Sequence, residues 1–451
     1  MSKNLIQIKN LTTSVGLADN KVNIVNNVSF DIKRGETFVL LGESGSGKSI
    51  TALSIMRLLP AAVKISSGKV ILGSKDLFEL PENRMRKVRG ANIGMIFQEP
   101  QTSLNPVLTA GQQISETLRQ HENLSKNECI TRSIELLTAV GIPEPTRRIN
   151  EYPHQFSGGM KQRIMIAIAL AGKPDLLIAD EPTTALDVTI QAQVLDLLKK
   201  LQSETGMSIL FITHDIGVAA QMADHIAVMQ NGSIVELKTK KELFSNPENS
   251  YTQKLFDAIP SWEKRTEENE IEEIERSERT SLLKVKDLKV YYPIRKGIFK
   301  RTIGHVRAVD SVTIDLHAGE TVAIVGESGS GKTTMGKGIL QLLEVTSGDI
   351  TYKKTDLNRL DEPSLRKLRS DIQIIFQDPY SSMNPRMMVN DIIQEGMLAQ
   401  GVGESKKERD EHTVKLLEQV GLLPEYRFRY PHEFSGGQRQ RICIARALAV
   451  K

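Results

Sequence analysis

Gly42-Glu43-Ser44-Gly45-Ser46-Gly47-Lys48-Ser49 follows the apolar run Thr37-Phe38-Val39-Leu40-Leu41 and precedes a helix-like stretch, Ile50 to Leu59. A buried strand, a glycine-rich turn of the form Gly-x4-Gly-Lys-Ser/Thr and a helix, in that order, make a phosphate-binding loop. The glycines let the main chain curl around phosphates, so that successive N–H groups and the helix N-terminus point at negative charge. Lys48 is then placed to reach the outer phosphates, and Ser49 to hold Mg²⁺. The same seven letters return as Gly326-Glu327-Ser328-Gly329-Ser330-Gly331-Lys332, followed by Thr333. They again stand between an apolar run predicted as a buried strand, Thr321-Val322-Ala323-Ile324-Val325, and a predicted helix, Thr334 to Leu343.

The repeat extends beyond the loops. Ile96-Phe97-Gln98-Glu99-Pro100 returns as Ile375-Phe376-Gln377-Asp378-Pro379, Ser103-Leu104-Asn105-Pro106 as Ser382-Met383-Asn384-Pro385, and Tyr152-Pro153-His154-Gln155-Phe156-Ser157-Gly158-Gly159 as Tyr430-Pro431-His432-Glu433-Phe434-Ser435-Gly436-Gly437. Blocks that keep one order and nearly one spacing mean two homologous domains. Between them, 263–280 holds eight Glu against four Lys or Arg, with Ile271 and Ile274 as its apolar residues. This reads as a solvated linker or a short helix. The expected division is therefore a first domain over 1–262, an acidic linker over 263–280 and a second domain over 281–451.

Composition removes several classes of function. Lys plus Arg is 59 and Asp plus Glu is 55, a net charge of +4 that leaves no electrostatic footprint for nucleic acid. Cys129 and Cys443 are too few and too far apart for a disulfide framework or a zinc ribbon, and they fit a reducing cytosol. Apolar runs such as Ile164 to Gly172 fall short of the roughly 18 residues a membrane span needs, and Met1-Ser2-Lys3-Asn4 opens no signal peptide.

In the first copy the apolar strand Leu176-Leu177-Ile178-Ala179 ends at Asp180-Glu181, and Ser208-Ile209-Leu210-Phe211-Ile212 leads to Thr213-His214. Paired carboxylates at a buried strand end are costly without cations or hydrogen bonds. Beside a phosphate loop, Asp180 suits a Mg²⁺ partner and Glu181 a group that polarises the attacking water. His214 can reach the terminal phosphate from a neighbouring strand.

The set of Gly42 to Ser49, Gln98, Ser157-Gly158-Gly159-Met160, Asp180-Glu181, Ala185-Leu186-Asp187 and His214 resembles the nucleotide-binding domain of ABC ATPases. In that family's terms these are Walker A, Q-loop, signature, Walker B, D-loop and switch histidine. Asn246-Pro247 followed by Tyr251-Thr252-Gln253-Lys254-Leu255, with Ser103 to Pro106, resembles the oligopeptide, dipeptide and nickel importer branch. Two fused domains, with Pro293 to Ile298 opening the second, look most like the ATPases of microcin C and peptide importers, then of glutathione importers.

The resemblance implies an α/β P-loop NTPase fold in two tandem domains, each a mainly parallel sheet core plus a helical subdomain, the second incomplete. It implies ATP between the Walker A of one domain and the signature of the other, Ser157-Gly158-Gly159 or Ser435-Gly436-Gly437. Glu181, His214 and Gln98 are then the catalytic set. Ser49, Gln98 and Asp180, with Thr333 and Gln377 in the second copy, are the Mg²⁺ ligands, and Tyr292 is an adenine-stacking ring whose place Val15 takes in the first copy. The segments from Gln98 to Ser157 and from Gln377 to Ser435 are the expected helical subdomains. Two transmembrane permease subunits and an extracytoplasmic substrate-binding protein are the implied partners, which places the chain peripherally on the cytoplasmic face of the inner membrane, its contact indirect.

This sequence departs from the pattern at its far end. Asp180 follows Ser157 by 23 residues, and the same step from Ser435 runs past Lys451. A fragment or an interrupted reading frame is expected, with the second nucleotide site nearly inert and an apolar sheet face uncovered. Met160 stands where Gln438 keeps the usual signature residue. A soluble tandem ATPase not linked to transport, and an ATP-binding module without turnover, are the alternative readings.

Overall fold

Successive residues of a strand point to opposite faces, so an apolar run without alternation asks to be covered on both sides. Thr37-Phe38-Val39-Leu40-Leu41 is such a run. The structure is a computed structural model that describes residues 4–16, 21–99, 103–122, 124–184, 186–258, 281–296, 301–327 and 329–450. The expected linker 263–280, Ser328 of the second loop, and Pro100, Ala185, Gly297 and Ile298 lie outside the described residues. The chain divides into two units, Met1–Glu267 and Glu268–Lys451.

The strands of the first unit are β1 (Asn4–Val15), β2 (Val22–Lys33), β3 (Thr37–Leu41), β4 (Val63–Leu72), β5 (Lys75–Asp76), β6 (Ile93–Ile96), β7 (Leu176–Asp180), β8 (Ser208–Thr213), β9 (His225–Gln230) and β10 (Ser233–Thr239). They form an antiparallel sheet, β2-β1-β4-β5, and a six-stranded sheet, β10-β9-β3-β8-β7-β6. Within the larger sheet β9, β3, β8, β7 and β6 run parallel, and β10 is an antiparallel edge. Alternation divides β3 between two cores. Phe38 and Leu40 join the cluster under the antiparallel sheet, while Val39 and Leu41 join the cluster that packs the helical segments. β7 and β8 divide the same way, which is why neither strand shows a polar face.

The helix Lys48–Met56 leaves β3 through Gly47 at φ 100° and stops at Arg57, whose own φ is 51°. It is therefore shorter than the Ile50 to Leu59 stretch suggests, because Arg57 closes it before Pro60. The amphipathic segment near 127–140 is the helix Lys126–Ala139, started by a capping box in which Ser125 and Glu128 exchange hydrogen bonds.

The second unit repeats half of this plan. Its strands β11 (Ser281–Lys296), β12 (Arg301–His317), β13 (Ser347–Tyr352) and β14 (Thr355–Asp356) pair in the order β12-β11-β13-β14, the counterpart of the first unit's antiparallel sheet. Its helices Val389–Gln400, Lys406–Gln419 and Gly436–Leu448 share one core, as Ala110–His121, Lys126–Ala139 and Gly158–Leu170 do in the first. The helix after its loop, Lys332–Ile339, again ends earlier than Leu343.

One expectation fails here. Thr321–Val325 is not a buried strand: it has no ladder, and Val322, Ile324 and Val325 are 40%, 46% and 89% exposed. The reason is its neighbours. In the first unit β3 is held on one side by β8 and on the other by β9, and the described residues of the second unit supply neither. Ile375, the counterpart of Ile96 on β6, is likewise 45% exposed. Amide hydrogen exchange followed by mass spectrometry is expected to find 37–41 strongly protected and 321–325 exchanging at near-unstructured rates. Equal protection of the two segments would contradict this arrangement.

Candidate active site

Parallel strands bring all their C-terminal ends to one edge of the sheet, which is where α/β folds place ligands. Along that edge the order β3-β8-β7-β6 sets the phosphate loop, Thr213-His214, Asp180-Glu181 and Gln98 side by side. Residues scattered over more than 170 positions of sequence thus become neighbours.

The loop is tightly seated. A Cβ on Gly42 would lie 2.3 Å from the Met229 carbonyl oxygen of β9, and one on Gly47, at φ +100°, 2.9 Å from that of Ile24. Both positions therefore demand glycine. Lys48 is buried, and its Nζ donates to the carbonyl oxygens of Gly42 and Glu43, each at 2.8 Å, and to Ser46 Oγ at 3.3 Å. Burial draws the Lys48 ammonium below its ordinary pKa, against the opposing pull of Glu181, Asp180 and Glu43. The second loop copies this local geometry, with Lys332 Nζ 2.7 Å from the Gly326 and Glu327 oxygens and 3.4 Å from Ser330 Oγ.

Asp180 closes β7 and accepts a hydrogen bond from Ser49 Oγ at 3.0 Å. Burial pushes its carboxyl up to about 6; Ser49 and Lys48 oppose that rise, and Glu181 adds to it. Glu181 sits at φ 45°, a backbone position strained for a side chain of this size, and its N–H donates to the Ile212 oxygen of β8 at 3.0 Å. Its Oε2 accepts from Gln98 Nε2 at 2.9 Å and from Thr184 Oγ1 at 2.8 Å, and its Oε1 lies 3.1 Å from His214 Nδ1. Burial alone would raise the Glu181 pKa, but these hydrogen bonds outweigh it and hold the group below the usual value. One carboxylate stays ionised while its neighbour is pushed toward the acid form, a division that suits two different tasks.

Among the described residues no cluster of three or more His, Cys, Asp or Glu is set to hold a metal. Mg²⁺ nevertheless fits the donors present. It takes oxygen ligands and keeps waters and substrate phosphates, so one buried carboxylate and a hydroxyl suffice from the protein. Asp180 is buried with Ser49 as its hydrogen-bond donor, and Gln98, with its nitrogen spent on Glu181, has its amide oxygen to offer.

Ser157 caps the helix Gly158–Leu170, its Oγ accepting the Met160 N–H at 3.4 Å, and Ser435 does the same for Gly436–Leu448. Gly158, Gly436 and Gly437 have open space where a Cβ would stand, whereas Gly159 lies against Ile190. Tyr292 is 42% exposed on β11. Gln377 is exposed, and among the described residues no hydrogen bond joins it or Thr333 to a carboxylate as Gln98 is joined to Glu181 and Ser49 to Asp180.

Three residues at the site escaped the sequence reading: Thr184, Tyr251 and Leu255. Leu255 lines a 270 Å³ cleft with Glu43, Ser44, Glu181 and His214, and Tyr251 Oη accepts the Glu43 N–H at 3.3 Å. Thr184 lies one turn beyond Glu181 and carried no motif; Tyr251 and Leu255 were visible only as letters of a branch pattern.

The family described as ABC transporter matches residues 25–184 and 309–451, so this edge and its loops are those of ATP-binding cassettes, and the chain belongs to that family as an ABC-type ATPase. Its relatives sharpen the placement. The peptidoglycan transport ATP-binding protein YejF of Agrobacterium fabrum is 49% identical over 428 residues, which cover 95% of this chain and 77% of that protein. The glutathione import ATP-binding protein GsiA of Escherichia coli K12 is 46% identical over 471 residues, 99% of this chain and 75% of that one. A solved dimeric ATP-binding cassette in a post-hydrolysis state with ADP and Pi is 32% identical over 52% of this chain and 98% of its own, with a TM-score of 0.48. No helix among the described residues is long and apolar enough to cross a membrane.

In metal-free protein the buried Asp180 acts against the fold once it ionises. Its folded pKa of about 6 lies above the ordinary 3.8, so below pH 4 both states are protonated and nothing is lost. Between pH 4 and 6 the unfolded state ionises first and stability falls, by about 3 kcal/mol at most. Asp180→Asn is therefore expected to stabilise the metal-free chain at pH 7.5 against urea, with the gain vanishing below pH 4. An unchanged midpoint at pH 7.5 would contradict it.

Proposed function

We propose that the first domain, 1–262, hydrolyses ATP at the β3-β8-β7-β6 edge to drive import of peptides or peptide-like compounds, and that 281–451 is its tandem partner across the linker 263–280. The observation that carries the hydrolytic reading is the Glu181 carboxylate, fixed by Gln98, Thr184 and His214 at a cleft that Glu43 and Ser44 of the loop also line. Lys48 and the N-terminus of the helix Lys48–Met56 bind the phosphates. Ser49, Asp180 and Gln98 would hold Mg²⁺, which would supply charge neutralisation on the phosphate oxygens. Glu181 accepts a proton from the attacking water. Gln98 and Thr184 keep its Oε2 in place, and His214 Nδ1, on Oε1, holds the carboxylate toward the terminal phosphate.

In the second unit Lys332 folds onto its loop as Lys48 does, and we read that loop as a second nucleotide-binding loop. The import assignment rests on the relatives. YejF is named for peptidoglycan transport and GsiA for glutathione import, and both are ATP-binding proteins. Permease subunits, with an extracytoplasmic binding protein beyond them, would hold this chain at the cytoplasmic face of the membrane. Microcin C-like compounds, oligopeptides, dipeptides and glutathione are the candidate cargo.

Glu181→Gln keeps the shape of the side chain and removes the base. It is expected to lower ATP hydrolysis by 10² to 10⁴-fold in a phosphate-release assay while ATP still binds. A variant as fast as the parent would refute the assignment. Purification from detergent-solubilised membranes is expected to bring down two permease subunits, and recovery of the chain free of any membrane protein would favour a soluble ATPase.

A further inference from the structure

The segment after β10 returns to the phosphate loop, and a buried carboxylate holds it there. Glu236 on β10 is 8% exposed; its Oε1 accepts the Glu248 N–H at 2.8 Å and its Oε2 the Asn249 N–H at 3.1 Å. Lys238 Nζ bridges Glu236 at 3.2 Å and Glu248 at 2.8 Å. Asn249 then caps the helix Ser250–Asp257, its Oδ1 accepting the Tyr251 N–H at 2.8 Å. A helix tied down so firmly at its start can place side chains with little freedom, and residues four apart lie on one face. Tyr251 and Leu255 are such a pair, and both point at the active-site edge: Leu255 into the cleft, Tyr251 onto the loop.

What Tyr251 grips matters. Its Oη accepts the Glu43 N–H at 3.3 Å, and the carbonyl of that same residue takes Lys48 Nζ at 2.8 Å. Glu43 is therefore held on one side by a helix more than 200 residues downstream and on the other by the phosphate-binding lysine. The Tyr251 ring itself packs against the core beneath the helical segments.

We propose that Tyr251 is a positioning residue for nucleotide: by fixing the Glu43 peptide it keeps the first half of the phosphate loop, and with it Lys48, in its binding shape before ATP arrives. This rests on the reading that the loop binds ATP and Glu181 hydrolyses it. Tyr251 touches none of Glu181, Gln98, Thr184 or His214 by hydrogen bond, so its effect belongs to binding and not to the chemical step.

The test is Tyr251→Phe in the full chain, which keeps the ring and removes the hydroxyl. A single hydrogen bond of this kind corresponds to about a 3- to 10-fold change in equilibrium. KM for ATP is expected to rise by that factor with kcat within about twofold of the parent, a split that a general loss of packing would not produce. Hydrogen exchange at the Glu43 amide is expected to quicken. A parent-like KM with unchanged exchange at Glu43 would overturn the proposal, as would a loss of kcat at constant KM. A parent chain that binds ATP without hydrolysing it would instead refute the hydrolytic reading, and the affinity and exchange measurements would then decide on Tyr251 alone.

Discussion

The pairing of β3 between β8 and β9 is the constraint on which the active site depends. β3 carries the phosphate loop, β8 delivers His214, and β7, hydrogen-bonded to β8, delivers Asp180 and Glu181. The two units make the dependence visible, since they share seven identical loop residues. Lys332 folds back on its loop within 0.1 Å of the way Lys48 does, so the shape of the loop is local chemistry. The catalytic surroundings are not local. Among the described residues of the second unit no ladder holds Thr321–Val325, and Val322, Ile324 and Val325 are exposed.

The ladder also sets the electrostatics. Two carboxylates at the end of one buried strand would repel each other and resist ionising, and the structure separates their fates by their donors. Glu181 has hydrogen bonds from three side chains and its pKa falls; Asp180 has Ser49 and its pKa rises to about 6. Glu181 owes its place to a backbone φ of 45°, a strain that persists because its N–H is locked to Ile212 on β8. The cost of that conformation is met by the sheet, not by the residue.

This explains which parts were readable in the sequence. The duplication, both loops and the Asp180-Glu181 pair have local signatures: fixed spacings, glycines where a Cβ would collide, acids ending an apolar run. The burial of Thr321–Val325 was misread because an apolar run states only that cover is wanted, and cover comes from strands elsewhere. Thr184 could have been found by asking what holds Glu181, since a buried carboxylate needs donors. Tyr251 could not: a hydrogen bond to Glu43 across 208 positions leaves no periodicity or spacing behind.

The signature helices show how a one-residue difference is absorbed. Around Ser435 the capping box is closed, with Gln438 Oε1 accepting the Ser435 N–H at 3.1 Å in return for the Gln438 N–H donated to Ser435 Oγ. Met160 cannot make the returning bond, so it keeps the cap and instead packs its side chain on the core below. A capping interaction is worth about 1 kcal/mol and partial burial of a methionine about as much, so the helix start loses little stability. The electrostatic result differs more than the energetic one. No bond from the Ser157 N–H back to the side chain at 160 closes the first cap, at a helix N-terminus whose dipole already favours negative charge, whereas the Ser435 N–H is occupied by Gln438. The two helix starts therefore differ by one main-chain donor, engaged by the side chain of Gln438 in the second and not by that of Met160 in the first.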